Sequence, residues 1–180
     1  MHVVQALVSM NIGGSELVAT ELAEYLAANG HEVTVIAEDG PIGERVRGCG
    51  ARHLDWAIGR KRLATLAYIR RLRSWFSEAR PDIVHVHSRW PAWICWRALK
   101  GLDPALRPAF VTTMHGHYSV SGYIAVMAWG ARVIAVSEHI RRYTLQNYRG
   151  ADPERIVTIH GGASREAFPY GHHPAPGWRA

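Results

Sequence analysis

The chain has 180 residues, 48% of them hydrophobic and 20% charged, enough for one domain with a sizeable core and too few for two full ones. That composition excludes a disordered chain. With 21 Lys and Arg against 15 Asp and Glu the net charge is +6, which suits either anionic partners (nucleotides, phosphosugars, an acidic membrane face, nucleic acid) or a basic surface with no specific partner.

Val3 to Val8 is an almost unbroken apolar run, as in a strand buried on both faces of a parallel sheet. Gly13-Gly14 follows, and from Ser15 the pattern turns helical: Leu17, Ala19, Leu22, Ala23, Leu26 and Ala27, stopping at Asn29-Gly30. Glu16 falls in the first turn, where it suits the helix dipole. Val33 to Ala37 is a β-branched second strand. Strand, glycine turn, helix and strand in this order fit a right-handed parallel crossover. The turn between them is a ready anion site, because glycine admits close approach and the helix start carries partial positive charge.

A short helical piece is expected at Ile42 to Arg47 and a third strand at Ala51 to Trp56. Arg60 to Ala79 reads as the clearest helix, with Leu63, Leu66, Ile69, Leu72 and Phe76 in register. Its Arg-rich remaining faces are either solvated or drawn to an anionic membrane surface. Ile83 to His87 is a strand, Ser88 to Pro91 its terminal loop, and Pro91 to Lys100 a helix. Trp90, Trp93 and Trp96 lie three apart there, as core packing or as a contact for an acceptor or membrane. Ala109 to Met114 is the next strand, ending in His115-Gly116-His117-Tyr118. A helix is expected at about Ser121 to Gly130, a strand at Arg132 to Val136, a helix capped by Ser137 running to about Tyr148, and a last strand at Ile156 to Ile159. His160 to Ser164 reads as a linker, and the tail from Tyr170 as loosely ordered.

This alternation predicts an α/β fold: a doubly wound, Rossmann-like, mainly parallel sheet of six or seven strands flanked by helices. Ligands gather at the C-terminal strand ends of such sheets, which places Gly13-Gly14, Ser88-Arg89, His115-Gly116 and Ser137-Glu138 together. Cys49 and Cys95 show no paired or metal-type spacing, which favours a reducing, cytoplasmic setting. No signal-peptide pattern opens the chain, and Gly122, Gly130 and Arg132 interrupt the apolar stretch at Val120 to Val136, so no membrane span is expected.

Three chemistries can be weighed. A dinucleotide site needs Gly-x-Gly-x-x-Gly, whereas this turn reads Gly13-Gly14-Ser15-Glu16-Leu17-Val18 and lacks the third glycine, though Glu38 and Asp39 do follow the second strand. Neither a P-loop nor a Gly-x-Ser-x-Gly elbow occurs. His85-x-His87 and His115-x-His117 could each converge on a metal, yet no carboxylate or cysteine joins them at ligand spacing. Strand-end histidines bonded to substrate or backbone fit better. A basic docking module for membrane or protein is a non-enzymatic alternative, and nucleic acid is disfavoured because no recognition motif accompanies the charge.

Five segments in order resemble the N-terminal domain of GT-B-fold, retaining glycosyltransferases of family 4. They are Gly13-Gly14-Ser15-Glu16, Pro81-Asp82-Ile83-Val84-His85-Val86-His87-Ser88, Val111-Thr112-Thr113-Met114-His115-Gly116, Val133-Ile134-Ala135-Val136-Ser137, and Ile156 to Ile159 with Ala167-Phe168-Pro169. Where the family usually has Pro-Asn-Gly-Val-Asp, this chain has His160-Gly161-Gly162-Ala163-Ser164, a departure at the hinge. The resemblance implies an acceptor-side domain over 1–169, with 170–180 leading to a C-terminal domain that this chain does not contain and without which it should be nearly inactive. It implies that Gly13 and Gly14 bind the donor diphosphate and that His115 is the catalytic histidine beside the transferring sugar. Ser15, Glu16, His87, Ser88, Arg89, Gly116, Tyr118, Ser137 and Glu138 are the acceptor or cleft candidates, with Arg89, Tyr118 and Glu138 chosen by location alone. A nucleotide-sugar donor, a glycan or lipid-linked acceptor and no metal or cofactor are implied. So are hexosyl transfer in bacterial lipopolysaccharide or polysaccharide assembly and a cytoplasmic site with peripheral membrane contact. The enzyme rival on such a fold is an NAD-dependent sugar epimerase or dehydrogenase.

Overall fold

In a computed structural model that describes residues 1–162 and 171, the apolar runs become strands β1 (His2–Ser9), β2 (Glu32–Glu38), β3 (Arg52–Asp55), β4 (Ile83–Val86), β5 (Ala109–Met114), β6 (Arg132–Ala135) and β7 (Ile156–Thr158). They form one sheet in the order β3-β2-β1-β4-β5-β6-β7. Every neighbouring pair is parallel. The expected mainly parallel sheet is therefore wholly parallel among the described residues. The helices are α1 (Gly14–Ala28), α2 (Gly43–Gly48), α3 (Ala67–Ala79), α4 (Arg89–Lys100) and α5 (Glu138–Asn147).

The sheet is covered on both faces, as continuous apolar strands require. On one face Leu7, Val33, Val35 and Ala37 meet Ala19 and Ala23 of α1 and Val46 of α2. On the other, Val4, Ala6, Val84 and Val86 meet Leu72 and Phe76 of α3, Ile94 and Ala98 of α4, and Ile140 of α5. The helices change face where β1 and β4 lie side by side. That pair is the topological switch point, outside whose carboxyl ends a crevice forms.

Three elements depart from the sequence expectation. The helix expected from Arg60 begins as a 3-10 turn at Leu63–Leu66 and becomes α3 only at Ala67. Arg62 is extended, Arg60 is held by Glu38 instead of joining a helix, and Leu63 is 87% exposed. The helix expected at 121–130 is only a 3-10 turn, Ile124–Ala128, bracketed by Gly122 and Gly130. Helix α4 starts two residues earlier than expected, at Arg89. Pro91 is tolerated there because first-turn N–H groups have no partner inside the helix. The tryptophans pack on the core, with Trp90 stacked on Trp93 and Trp96 against Trp129. Arg71 of the basic helix lies 4.0 Å over the Trp56 ring and so does more than meet solvent. The boundary at 169, Ala167-Phe168-Pro169 and the tail expected over 170–180 lie outside the described residues, apart from Gly171.

Candidate functional site

At the switch point β1 feeds α1 and β4 feeds α4, so two helix starts meet over the sheet's carboxyl edge. Beside them is a cavity of about 260 Å³ lined by Ser15, Lys61, His87, Ser88, Arg89 and Tyr118, among others. A larger one, about 480 Å³, lies at the opposite end of the sheet between α3 and the loop after α4, near Arg73 and Asp103. Size alone does not mark the site. The smaller cavity is the one at the strand ends with helix starts aimed at it.

Both helix starts lack a side-chain cap. Gly13, extended at φ −161°, precedes α1 with no side-chain hydrogen bond to the first turn, and Ser88 precedes α4 in the same state. Their first-turn N–H groups keep partial positive charge available to an anion. By contrast, Ser137 accepts a hydrogen bond from the Ile140 N–H at 3.2 Å and so caps α5. Glycine at 14 answers to no protein neighbour, since a Cβ there would meet nothing within 4 Å. At Gly13 a Cβ would meet the Glu16 carboxylate at 2.5 Å. The Ser15 hydroxyl donates to that carboxylate at 2.7 Å, which holds it beside the turn.

The histidines form a line into the sheet. His87 Nδ1 lies 3.1 Å from His115 Nε2, and His87 Nε2 lies 3.0 Å from the Gln5 amide oxygen. His85, two residues back on the same strand face, lies against His87 with ring centroids 4.2 Å apart and planes tilted by 41°, and bonds the Thr113 hydroxyl at 2.7 Å. His85 and His87 are buried. Burial disfavours the charged ring and pushes the His85 pKa down to about 4 and that of His87 well below its ordinary value. The half-buried His115 is also shifted down by burial, against a smaller upward pull from Glu16.

Tyr118 forms the far wall. Its carbonyl accepts from the Tyr143 and Tyr148 hydroxyls at 2.8 and 2.9 Å, which pins the loop after β5. Its ring lies 5.1 Å from the Arg89 guanidinium, and its hydroxyl faces the His115 N–H at 3.4 Å. Burial raises the Tyr118 pKa, so the hydroxyl stays protonated and able to donate.

Of the sequence-selected residues, the structure brings together Ser15, His87, Ser88, Arg89 and Tyr118 on the cavity. Gly13, Gly14 and Glu16 belong to the α1 start that carries Ser15, and His115 contacts His87 and Tyr118, both on the cavity; Gly116 follows His115 in the chain. Ser137 and Glu138 stand apart: Ser137 is a helix cap, and Glu138 accepts a hydrogen bond from Thr158. Neither lines that cavity: both follow β6, which β5 separates from β4. Sequence reasoning missed Lys61, assigned to a helix face. It sits in the loop after β3, lines the cavity and donates to the Tyr123 hydroxyl at 2.9 Å. It also missed Gln5, whose signal was a lone amide inside an apolar strand.

The two His-x-His pairs do not converge as four ligands. His117 turns away to His139, with Nε2 atoms 2.8 Å apart. The α1 turn lacks the dinucleotide spacing, and Glu38, which would meet a ribose, is engaged with Arg60. The site offers two helix starts, two cations, a histidine on its wall backed by a second, and hydroxyl groups. Such a set can hold a phosphate group next to a polyol.

The sequence profile described as Glycosyltransferase Family 4 matches residues 12–166. A glycosyltransferase from Rickettsia africae is 25% identical, with TM-score 0.77, over 93% of this chain and 45% of its own. HepE from Anabaena, solved with UDP and glucose, is 16% identical, with TM-score 0.70, over 92% of this chain and 46% of its own. The lipopolysaccharide outer core galactosyltransferase WaaB is 14% identical, with TM-score 0.62, over 91% and 46%. The last two show the fold alone. The chain spans somewhat under half the length of these structures. No curated protein matches it.

Proposed function

The chain belongs to Glycosyltransferase Family 4, and on that premise we propose that it forms the acceptor-side wall of a cleft in which a hexosyl group passes from a nucleotide-sugar to a glycan or lipid-linked acceptor. The observation that carries this reading is the meeting of the open Gly14 turn, the His87–His115 pair, Lys61 and Arg89 at the switch point.

The α1 start at Gly13-Gly14 faces the donor diphosphate, and Lys61 and Arg89 offset its charge. As the anomeric C–O bond breaks, negative charge grows on the leaving phosphate. Fixed dipoles and cations already aimed there stabilise it without reorganisation. These groups do the work otherwise given to a metal ion. His115, uncharged at neutral pH, positions the transferring sugar. The acceptor hydroxyl forms the new bond on the face the phosphate leaves, and its proton passes to the leaving phosphate oxygen, so configuration is retained. A second domain closes the cleft. Lipopolysaccharide or related polysaccharide assembly fits the WaaB-like fold, and the +6 charge fits peripheral contact with an anionic cytoplasmic membrane face.

Incubating the full gene product with sugar nucleotides and glycan or lipid-linked acceptors, then reading the product's anomeric configuration by NMR, tests this. Transfer with retention is expected. Inversion overturns the mechanism. Isomerisation of the sugar nucleotide without transfer, or a requirement for NAD, overturns the function.

A further inference from the structure

The histidine line contains a proton-placement device that the transfer reading does not require. It starts at a helix carbonyl. The Gln5 side-chain NH2 donates to the Ala19 carbonyl of α1 at 2.9 Å. The amide cannot be turned round, because its oxygen would then face the carbonyl oxygen at the same distance, two acceptors with no proton between them. The Gln5 oxygen is thereby left for His87. Its neighbour at 3.0 Å, His87 Nε2, must donate and so carries the ring proton. His87 is 1% exposed, and burial keeps it uncharged at neutral pH. A neutral imidazole has one N–H, so its Nδ1 is an acceptor. The nitrogen facing that Nδ1 at 3.1 Å is His115 Nε2, which must then donate in turn.

We propose that Gln5 and His87 are positioning residues that lock neutral His115 as its Nε2–H tautomer, leaving the bare Nδ1 as the hydrogen-bond acceptor that the ring presents to a ligand. Among the described residues Nδ1 has no hydrogen-bond partner, and it is not among the buried atoms left without one. An acceptor there selects for a donor group on the ligand. A hydroxyl satisfies it, whereas a fully ionised phosphate oxygen meets lone pair against lone pair. The identity of the ligand as a sugar rests on the function proposed above; the tautomer itself does not.

The opposite arrangement, with His87 protonated on Nδ1 and His115 on Nδ1, preserves the contact between the two rings. It is excluded only by Gln5, because it sets the His87 Nε2 lone pair against the amide oxygen. Removing the amide therefore makes the two arrangements comparable. A residue with a purely structural role would alter stability and leave the ring protons where they were.

The test is long-range ¹H–¹⁵N NMR of the histidine side chains in this chain at pH 7.5, where ring nitrogens with and without a proton give well-separated signals. In the wild type, the His115 Nε2 and His87 Nε2 signals are expected in the protonated range, with both Nδ1 signals in the bare range. In Gln5→Met, His115 is expected to move from one tautomer to a mixture. His87→Phe, which removes the acceptor, is expected to do the same. A wild-type His115 carrying its proton on Nδ1 overturns the proposal whether or not the variants fold. So does an unchanged His115 in a folded Gln5→Met protein. The expected tautomer in a full gene product that transfers no sugar would overturn the functional reading and leave the relay intact.

Discussion

At the scale of single residues, the buried imidazoles make acid the weak point of this protein. His85 titrates near 4 in the folded chain and near 6.5 when unfolded, so between those values the unfolded state binds more protons and stability rises with pH. Its contribution is complete above about pH 6.5 and declines as pH falls through the folded value. At pH 5 the loss from His85 alone is about 2 kcal/mol, at roughly 1.4 kcal/mol per pH unit. His87 is shifted in the same direction and adds to it. Urea unfolding at pH 7 and pH 5 should show this decline, and it should shrink in a His85→Asn variant. Equal stability at both pH values in the wild type would contradict the burial argument. Little of this was legible beforehand. The sequence shows His85, His87 and His115 at strand ends. Their juncture depends on the Gln5–His85 register of β1 and β4 and on the rotamers of side chains from three strands.

At the scale of elements, the loop after β3 is the part of the site that periodicity misread. Leucines at 63 and 66 continue the α3 pattern, so the helix was expected to start at Arg60. Tertiary contacts prevail instead. Arg60 forms a two-pronged pair with Glu38, Thr65 bonds the Arg60 carbonyl at 2.5 Å, and Gly59 lies against β1. A Cβ at Gly59 would meet the Val8 backbone at 2.6 Å, and backbone cannot step aside as a side-chain tip can. Gly59→Ala should therefore cost about 1–3 kcal/mol, the usual range for overpacking. It should also shift Lys61 away from the cavity. Denaturant unfolding, read with ¹H–¹⁵N spectra of the 58–62 amides, checks both effects; unchanged stability with unmoved amides would show that the loop adapts freely. The strands were far easier to read. Parallel strands buried on both faces are nearly all apolar, whereas their order, with β4 beside β1, came only from the structure.

At the scale of the whole molecule, the central claim is that the β1/β4 switch point, and not the larger cavity between α3 and α4, is where sugar transfer happens. The fold class, the glycine turn and the His115 strand end could be read from local pattern and from resemblance. The placement of Lys61 on the cavity, and of Ser137 and Glu138 off it, needed the three-dimensional arrangement. The most direct measurement is the rate of sugar transfer by the full gene product carrying three separate substitutions, with folding checked by thermal denaturation. His115→Ala should lower transfer about 100-fold or more, the scale on which a group aimed at the reacting centre acts. Gly14→Ala should lower it while keeping or raising thermal stability, since its Cβ meets no protein atom. Leu106→Ala, at the large cavity, should leave it near the wild-type rate. Full activity in folded His115→Ala and Gly14→Ala proteins, with loss in Leu106→Ala, would contradict the account.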